Sequence, residues 1–167
     1  MEYFEVIEKR RSVRSYRPDP VEPEKLAKIL EAARLAPTAC NLQPFKVIVI
    51  PTDGRKEELK KVYPRDWFSG APLVLCVCSA PGTAWSRRDG KSYADVDAAI
   101  VMDHIILAAT ALELGTCWIG AFDRQAAQTV LGLEDALEPV AFTPIGYAAG
   151  EGTPAAKKSV ADLVINR

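Results

Sequence analysis

The longest apolar stretch of the chain is residues 94–114, where a helical wheel carries hydrophobic side chains in nearly every direction. Asp97 and His104 interrupt it on one stripe, and Asp103 and Thr110 on another. A helix that is apolar on most sides is buried on most sides. Because its acidic residues exclude a membrane span, the pattern predicts a central helix covered partly by its own chain and partly by a second copy.

The chain leaves this predicted helix abruptly. Gly115 is expected to end the helix in a positive-φ conformation, which glycine adopts without steric cost. The apolar run 116–119 then predicts a buried strand that ends at Gly120. We expect a ligand to bind at this junction.

Helices and strands alternate along the rest of the chain. The spacing of apolar residues, prolines and caps predicts helices at 3–9, 23–34, 55–62 and 124–131, a capping box at 159–162, and apolar strands at 45–50, 73–78 and 139–148. No Gly-x-Gly-x-x-Gly follows the first strand, which disfavours a dinucleotide-binding Rossmann unit. The polar segment 79–93 is either a short lid or a plain connector.

Composition narrows the class of protein. A chain of 167 residues with 49% hydrophobic residues predicts a single domain over residues 1–167. The net charge of -1 gives no general attraction to nucleic acid or anionic membranes. The N-terminus has no apolar run after a basic start, so we expect a cytoplasmic protein. The four cysteines do not have metal-site spacing, and Cys76 and Cys78 are expected to be buried reduced thiols.

Two loops carry the candidate chemistry. Residues 10–17 contain four arginines and two serines before Pro18, a stiff cationic loop suited to a phosphate, with an exposed basic turn as the alternative. Residues 36–45 hold one hydroxyl and two amides between two prolines, which suits the edge of a heterocycle; the alternative is a capped helix end that runs into a strand. His104 is expected to be a packed histidine rather than an acid or base.

Four segments in register resemble the nitroreductase family of flavin enzymes. They are the Arg-Arg-Ser-Val-Arg-Ser-Tyr run from residue 10, the 36–45 loop, the central helix with its Gly-Thr-Cys-Trp-Ile-Gly exit, and the Pro-Ile-Gly-Tyr run from residue 144. The resemblance extends essentially from end to end. It implies an α+β, three-layer fold with a mixed central β-sheet flanked by helices and a buried central helix at the interface of a homodimer, which binds FMN at two interface sites.

The resemblance also assigns roles to residues. Arg10, Arg11 and Ser12 resemble the loop that holds the phosphate and ribityl chain of FMN, and Arg14 the basic residue near the pyrimidine end of the flavin. The residues that the other subunit contributes to each site are matched here by Pro37, Thr38, Ala39 and Asn41, which resemble them, and Gln43 lies in the same loop. The segment Trp118, Ile119 and Gly120 resembles the backbone that lies near flavin N5. Lys157 and Lys158 stand where the family often has an arginine on the phosphate, and a lysine cannot clamp a phosphate bidentately.

The implied activity is hydride transfer from NAD(P)H through flavin N5 to a small acceptor, such as a nitroaromatic compound or a quinone, in a ping-pong cycle. Arg14 is the one catalytic candidate, as a cation near flavin N1. No metal, nucleic acid or membrane is expected to take part. Two other hypotheses remain: a flavin-binding store or sensor without reductase turnover, and a basic-loop nucleic-acid binder.

Overall fold

The computed structural model describes residues 1–150, 152 and 154–167. Its helices and strands are α1 (Tyr3–Lys9), α2 (Pro23–Arg34), β1 (Phe45–Pro51), α3 (Lys56–Val62), α4 (Asp66–Ser69), β2 (Leu73–Ser79), α5 (Ala94–Ala111), β3 (Gly115–Thr116), α6 (Arg124–Leu131), β4 (Glu138–Gly146) and α7 (Val160–Leu163). Short 3-10 turns occupy Ala39–Asn41 and Pro81–Thr83. The predicted helices and strands are therefore all present, with boundaries that differ by a few residues.

The strands form one sheet in the order β1-β2-β4-β3, and each pair of neighbours is antiparallel. The parallel pairing seen in the described residues is confined to one bridge between Ser12 and Thr116. The α+β class is confirmed, and the sheet expected to be mixed is almost wholly antiparallel. β1 and β3 form its two edges.

Both faces of the sheet are covered, which explains why its central strands are continuously apolar. Along β2, Leu73 and Leu75 face the core shared with α2 and α5, whereas Val74 and Cys76 face the core shared with α3, α4 and α6. This alternation follows from the two-residue period of a strand. The three-layer arrangement expected from the sequence is confirmed.

Helix α5 is the buried central helix. Its own chain covers most of its surface, because α5 lies between the sheet and α2. Its exposed positions include Val96 and Asp103, and larger apolar exposure occurs elsewhere: Phe4 on α1 is 76% exposed and Ile165 after α7 is 80% exposed. A partner subunit on α5 therefore stays a prediction. Among the described residues, no helix combines the length and apolar character required to cross a membrane.

The predicted end of the central helix was wrong in two respects. The helix stops at Ala111, and the residue with positive φ is Glu113, at 63°, rather than Gly115. Gly115 begins β3 instead, and a Cβ there would lie 2.9 Å from Cγ2 of Val13. The glycine is required by this close approach of the N-terminal loop and not by its φ angle.

The predicted strand 116–119 is also shorter than expected. Thr116 belongs to β3, and Ile119 forms only an isolated bridge with Phe142 of β4. Between them, the backbone N–H of Cys117 donates to the Thr143 hydroxyl at 3.2 Å instead of to a ladder carbonyl. A side chain thus interrupts the strand, which leaves residue 118 free to project from the sheet edge.

Segment 79–93 has internal structure. Ser86 bridges Ser92, Arg87 forms an ion pair with Asp89 at 2.6 Å, and the rings of Trp85 and Tyr93 pack edge to face with centroids 4.9 Å apart. These contacts favour an ordered connector over a lid.

Candidate functional site

Residues 10–17, the arginine loop, line a partly open cavity of about 600 Å³. Its polar lining consists of Arg10, Arg11, Ser12, Arg14 and Lys157, with Glu8 as the one acidic member. The excess of positive charge favours an anion, and guanidinium groups offer paired donors that match a phosphate. The structure therefore brings together the predicted phosphate residues.

Backbone contacts fix the arginine loop against the sheet. The N–H of Val13 donates to the carbonyl of Thr116 at 2.8 Å, beside the bridge between Ser12 and Thr116. The Tyr16 hydroxyl donates to the carbonyl of Val13 at 2.8 Å, and burial raises the pKa of that hydroxyl far above its ordinary value of 10.0. Tyr16 thus stays a neutral donor that holds the loop in place.

Two of the arginines are restrained by neighbouring groups. The Arg11 guanidinium donates to the carbonyl of Glu8 at 2.7 Å, at the end of α1, where helix carbonyls lack partners. The Arg14 guanidinium lies over the ring of Trp67 on α4, 5.9 Å from its centroid. Sequence reasoning missed Trp67, and the only signal for it was a large aromatic residue in a polar stretch. Arg11 is therefore half-buried against the end of α1, whereas Arg14 lines the cavity and stays exposed.

The C-terminal segment closes over this loop. A Cβ on Gly152 would lie 3.0 Å from Cβ of Arg11 and 3.2 Å from the carbonyl oxygen of Ser12. Both lysines are exposed, but Lys157 lines the cavity and Lys158 lies outside its lining. The two lysines, equivalent in the sequence, are therefore not equivalent in the structure.

The exit from β3 leads away from the cavity along an edge of the sheet. Ile119 is buried and exchanges two backbone hydrogen bonds with Phe142, at 2.9 and 3.0 Å. Trp118 is 41% exposed, and a Cβ on Gly120 would meet no atom within 4 Å. Burial raises the pKa of the neighbouring Cys117 thiol, which keeps it protonated. This edge therefore offers the exposed side chain of Trp118 and open space at Gly120, and no thiolate nucleophile.

The second candidate loop, residues 38–43, presents its polar groups to solvent. Cys40, Asn41 and Gln43 have φ values of 52°, 53° and 53°, a conformation that asparagine tolerates but that costs about 1–2 kcal/mol at each of the other two residues. The Gln43 side-chain amide donates to the Asn41 side-chain oxygen at 3.1 Å. The N–H of Ala39 donates to the carboxylate of Asp97 at 2.9 Å. Pro37, which precedes the loop, and Asn41 and Gln43 within it are exposed, and Thr38 is half-buried.

The two loops lie far apart within one chain. Ser12 adjoins Thr116, which pairs with Ile145, whereas the second loop leads into β1 at the end of the sheet marked by Glu138. The part of β4 from Glu138 to Ile145 spans about 23 Å at about 3.3 Å per residue. The loops also adjoin opposite edges of the sheet, so one chain does not bring them to the same small ligand.

The remaining candidates are packed rather than reactive. His104 is half-buried, with Nδ1 3.3 Å from the carbonyl oxygen of Ala32 on α2. Cys76 and Cys78 are buried and free, with sulfur atoms 3.7 Å apart. Across the described ranges, no three His, Cys, Asp or Glu side chains cluster in a way that could hold a metal ion.

Comparison with known proteins gives a consistent result. The sequence model of the nitroreductase family matches residues 7–65 and 52–147. An FMN reductase [NAD(P)H] of Bacillus subtilis is 28% identical over 165 residues, which cover 89% of this chain and 66% of that protein. The residues matched by the family model include the arginine loop and the central helix.

Solved structures agree in fold. The crystal structure of a nitroreductase family protein from Clostridium difficile 630 superposes with a TM-score of 0.87 at 35% identity, over 99% of this chain and 98% of that chain. A proposed nitroreductase of Desulfovibrio desulfuricans, crystallised in complex with FMN, has a TM-score of 0.86 at 26% identity, over 100% of this chain and 97% of that chain.

Proposed function

Because this chain belongs to the nitroreductase family of NAD(P)H-dependent, FMN-using oxidoreductases, we propose that it transfers hydride from NAD(P)H to a small acceptor in a ping-pong cycle. A nitroaromatic compound or a quinone is the class of acceptor that we expect. The observation that carries this proposal is the cationic cavity of the arginine loop, where Ser12 bridges Thr116 at the start of the exit that leads to the exposed Trp118. That pairing suits a ligand with an anionic end and a flat end.

The residues present fit FMN. Arg10, Arg11 and Ser12 would hold its phosphate, and Lys157 would add a point charge at the position where the family often has an arginine. The accessible backbone from Trp118 to Gly120 would lie along the ring. A phosphate in this cavity would be bound by charge-assisted hydrogen bonds, which are the stronger class.

The chemistry that FMN supplies when bound is hydride transfer at N5, first from NAD(P)H and then to the acceptor. The protein would orient the cofactor and shield it from water, and no side chain would react covalently. Arg14, positioned by Trp67, provides a fixed cation that would stabilise developing negative charge on the ring. Trp118 and the arginine loop would keep water from the cofactor.

We propose further that each site needs two chains. The 38–43 loop would complete the site of a partner subunit, which its distance from the arginine loop of its own chain supports. Exposed apolar side chains such as Phe4 and Ile165 supply surface that a homodimer would bury. In this proposal residues 1–167 form one domain per subunit. The absence of a disulfide among the four cysteines of the described chain and the proposed use of NAD(P)H support a place in the cytoplasm.

The test is spectroscopic and then kinetic. Purified protein should be yellow, should lose its flavin absorption with NADH or NADPH without oxygen, and should regain it when a quinone or nitroaromatic compound is added. Steady-state rates should give parallel double-reciprocal lines, as a ping-pong cycle requires. A yellow protein that neither nucleotide reduces would support a flavin store or sensor instead. A colourless protein that cannot be loaded with FMN would refute both.

A further inference from the structure

The 38–43 loop adopts a backbone that its own sequence does not favour. Cys40, Asn41 and Gln43 have left-handed φ angles of 52°, 53° and 53°, and none of them is glycine. Such conformations persist only where the surrounding structure imposes them, and they cluster where a protein clamps a ligand. Some contact outside the loop must therefore hold it.

One hydrogen bond ties the loop to a distant part of the described chain. The N–H of Ala39 donates to Oδ1 of Asp97 at 2.9 Å, across 58 residues of sequence. The other bonds of the loop are local, such as the one from the Gln43 N–H to the Thr38 hydroxyl at 3.0 Å. Asp97 lies in the first turn of α5, whose position is fixed by the core. It is the anchor of the loop.

Asp97 is energetically unfavourable for folding at this position. It is 1% exposed, and within the described chain its Oδ2 atom has no hydrogen-bond partner. A buried carboxylate with one unpaired oxygen destabilises a fold relative to an apolar residue. The residues one turn before and after it on the same face of α5, Ala94 and Val101, are buried and apolar. The packing of α5 alone therefore does not explain an aspartate there.

We infer that Asp97 is a positioning residue for FMN. Its carboxylate holds the N–H of Ala39 and so fixes the strained loop, with Thr38 and Asn41, in the shape that meets the cofactor of the partner subunit. Asp97 itself does not touch FMN. Because the loop is ordered during folding, cofactor binding does not have to order it. This inference rests on the proposed function, since it assigns the loop to the FMN site.

The experiment compares Asp97→Ala with Asp97→Asn, which keeps an oxygen acceptor for Ala39. Asp53→Ala, in an exposed turn of the described structure, is the matched control. Hydrogen exchange measured by mass spectrometry reports the order of residues 38–43 in the FMN-free protein. Fluorescence titration gives the Kd for FMN, and sedimentation velocity checks the oligomeric state.

We expect Asp97→Ala to raise both the exchange rate of the loop and the Kd for FMN by about tenfold, the effect of losing one hydrogen bond to a charged group. Asp97→Asn should stay within about threefold of the parent, because a neutral hydrogen bond remains. Asp53→Ala should change neither. Unchanged loop exchange and unchanged Kd in folded Asp97→Ala protein would overturn the inference.

Two further outcomes are distinguishable. If the parent protein cannot bind FMN, the proposed function fails, and the exchange data still decide whether Asp97 orders the loop. If Asp97→Ala does not fold, Ala39→Pro removes the donor instead, at a position whose preceding residue, Thr38, is already extended (φ -132°, ψ 157°), as a residue before proline must be. Folded Ala39→Pro protein with the loop exchange and the Kd of the parent would contradict the inference.

Discussion

A heterodimer that carries one defect in each chain tests whether the site is shared. One chain carries Arg10→Ala, which removes one guanidinium group from the lining of the cationic cavity. The other carries Asn41→Gly with Gln43→Gly. Because glycine accepts the left-handed φ of both positions, these changes remove two amides without adding backbone strain. The two amides also bond to each other, so removing both leaves neither unpaired.

The expected magnitudes follow from these contacts. Loss of a charge-assisted phosphate contact costs about 1.5–3 kcal/mol, which is about a tenfold or larger rise in Kd for FMN. Loss of two neutral amide contacts costs about 1–3 kcal/mol. Both variant homodimers should therefore release FMN at concentrations that saturate the parent.

Purified heterodimers, isolated with a different affinity tag on each chain, give the decisive result. If the cavity of one chain pairs with the loop of the other, one site receives both defects and the second receives none. The heterodimer should then bind about one FMN per dimer with the affinity of the parent, measured by titration calorimetry. Two equally weakened sites would mean that each site lies within one chain, and the shared-site proposal would be refuted.

Three more outcomes follow from single contacts. Gly115→Ala should lower the free energy of unfolding by about 1–3 kcal/mol, measured in urea, and weaken FMN binding, because the new Cβ displaces the arginine loop. In stopped-flow flavin reduction, His104→Gln should lower the rate far less than Arg14→Ala, because His104 is packed against α2 whereas Arg14 lines the cavity. The hydrogen bond from Tyr147 lowers the pKa of Glu22 below its ordinary value of 4.5. That stabilisation is present above pH 4.5 and is lost as the pH falls through the lower folded value, so Tyr147→Phe should destabilise the protein at about pH 6 and much less at about pH 3.

The first of these predictions has a matched control, and the other two have outcomes that would contradict them. Gly82→Ala, where a Cβ meets no atom within 4 Å, should leave stability and FMN binding nearly unchanged. A larger effect of His104→Gln than of Arg14→Ala would place acid–base chemistry on the histidine and overturn the mechanism. Equal destabilisation by Tyr147→Phe at both pH values would show that its hydroxyl does not act through the carboxylate.

Much of the fold was predictable from short-range patterns. The helix from Arg124 begins at an Asp123 side chain that accepts from the N–H of Ala126 at 2.8 Å, and it ends at left-handed Gly132. The capping box at Ser159 and Asp162 is likewise present. These features depend on groups within a few residues of each other, so the local sequence contains all the necessary information.

The site was predictable only as separate segments. The arginine loop and the 38–43 loop were each recognisable from their residue types. No sequence pattern favoured Lys157 over Lys158 or placed Trp67 beside Arg14. Those contacts depend on where the tail and α4 cross the arginine loop, which periodicity does not encode.

Local patterns were sufficient to predict the order of helices and strands, their caps, and a central strand apolar on both faces, because these follow from hydrogen bonding and side-chain direction between near neighbours. The packing of Val13 on Gly115 and the hydrogen bond from Ala39 to Asp97 became known only from the folded chain. The tertiary structure also placed the two candidate loops at opposite edges of the sheet. Such contacts join residues far apart in the chain, and they form only once the sheet and α5 have fixed the positions of both partners.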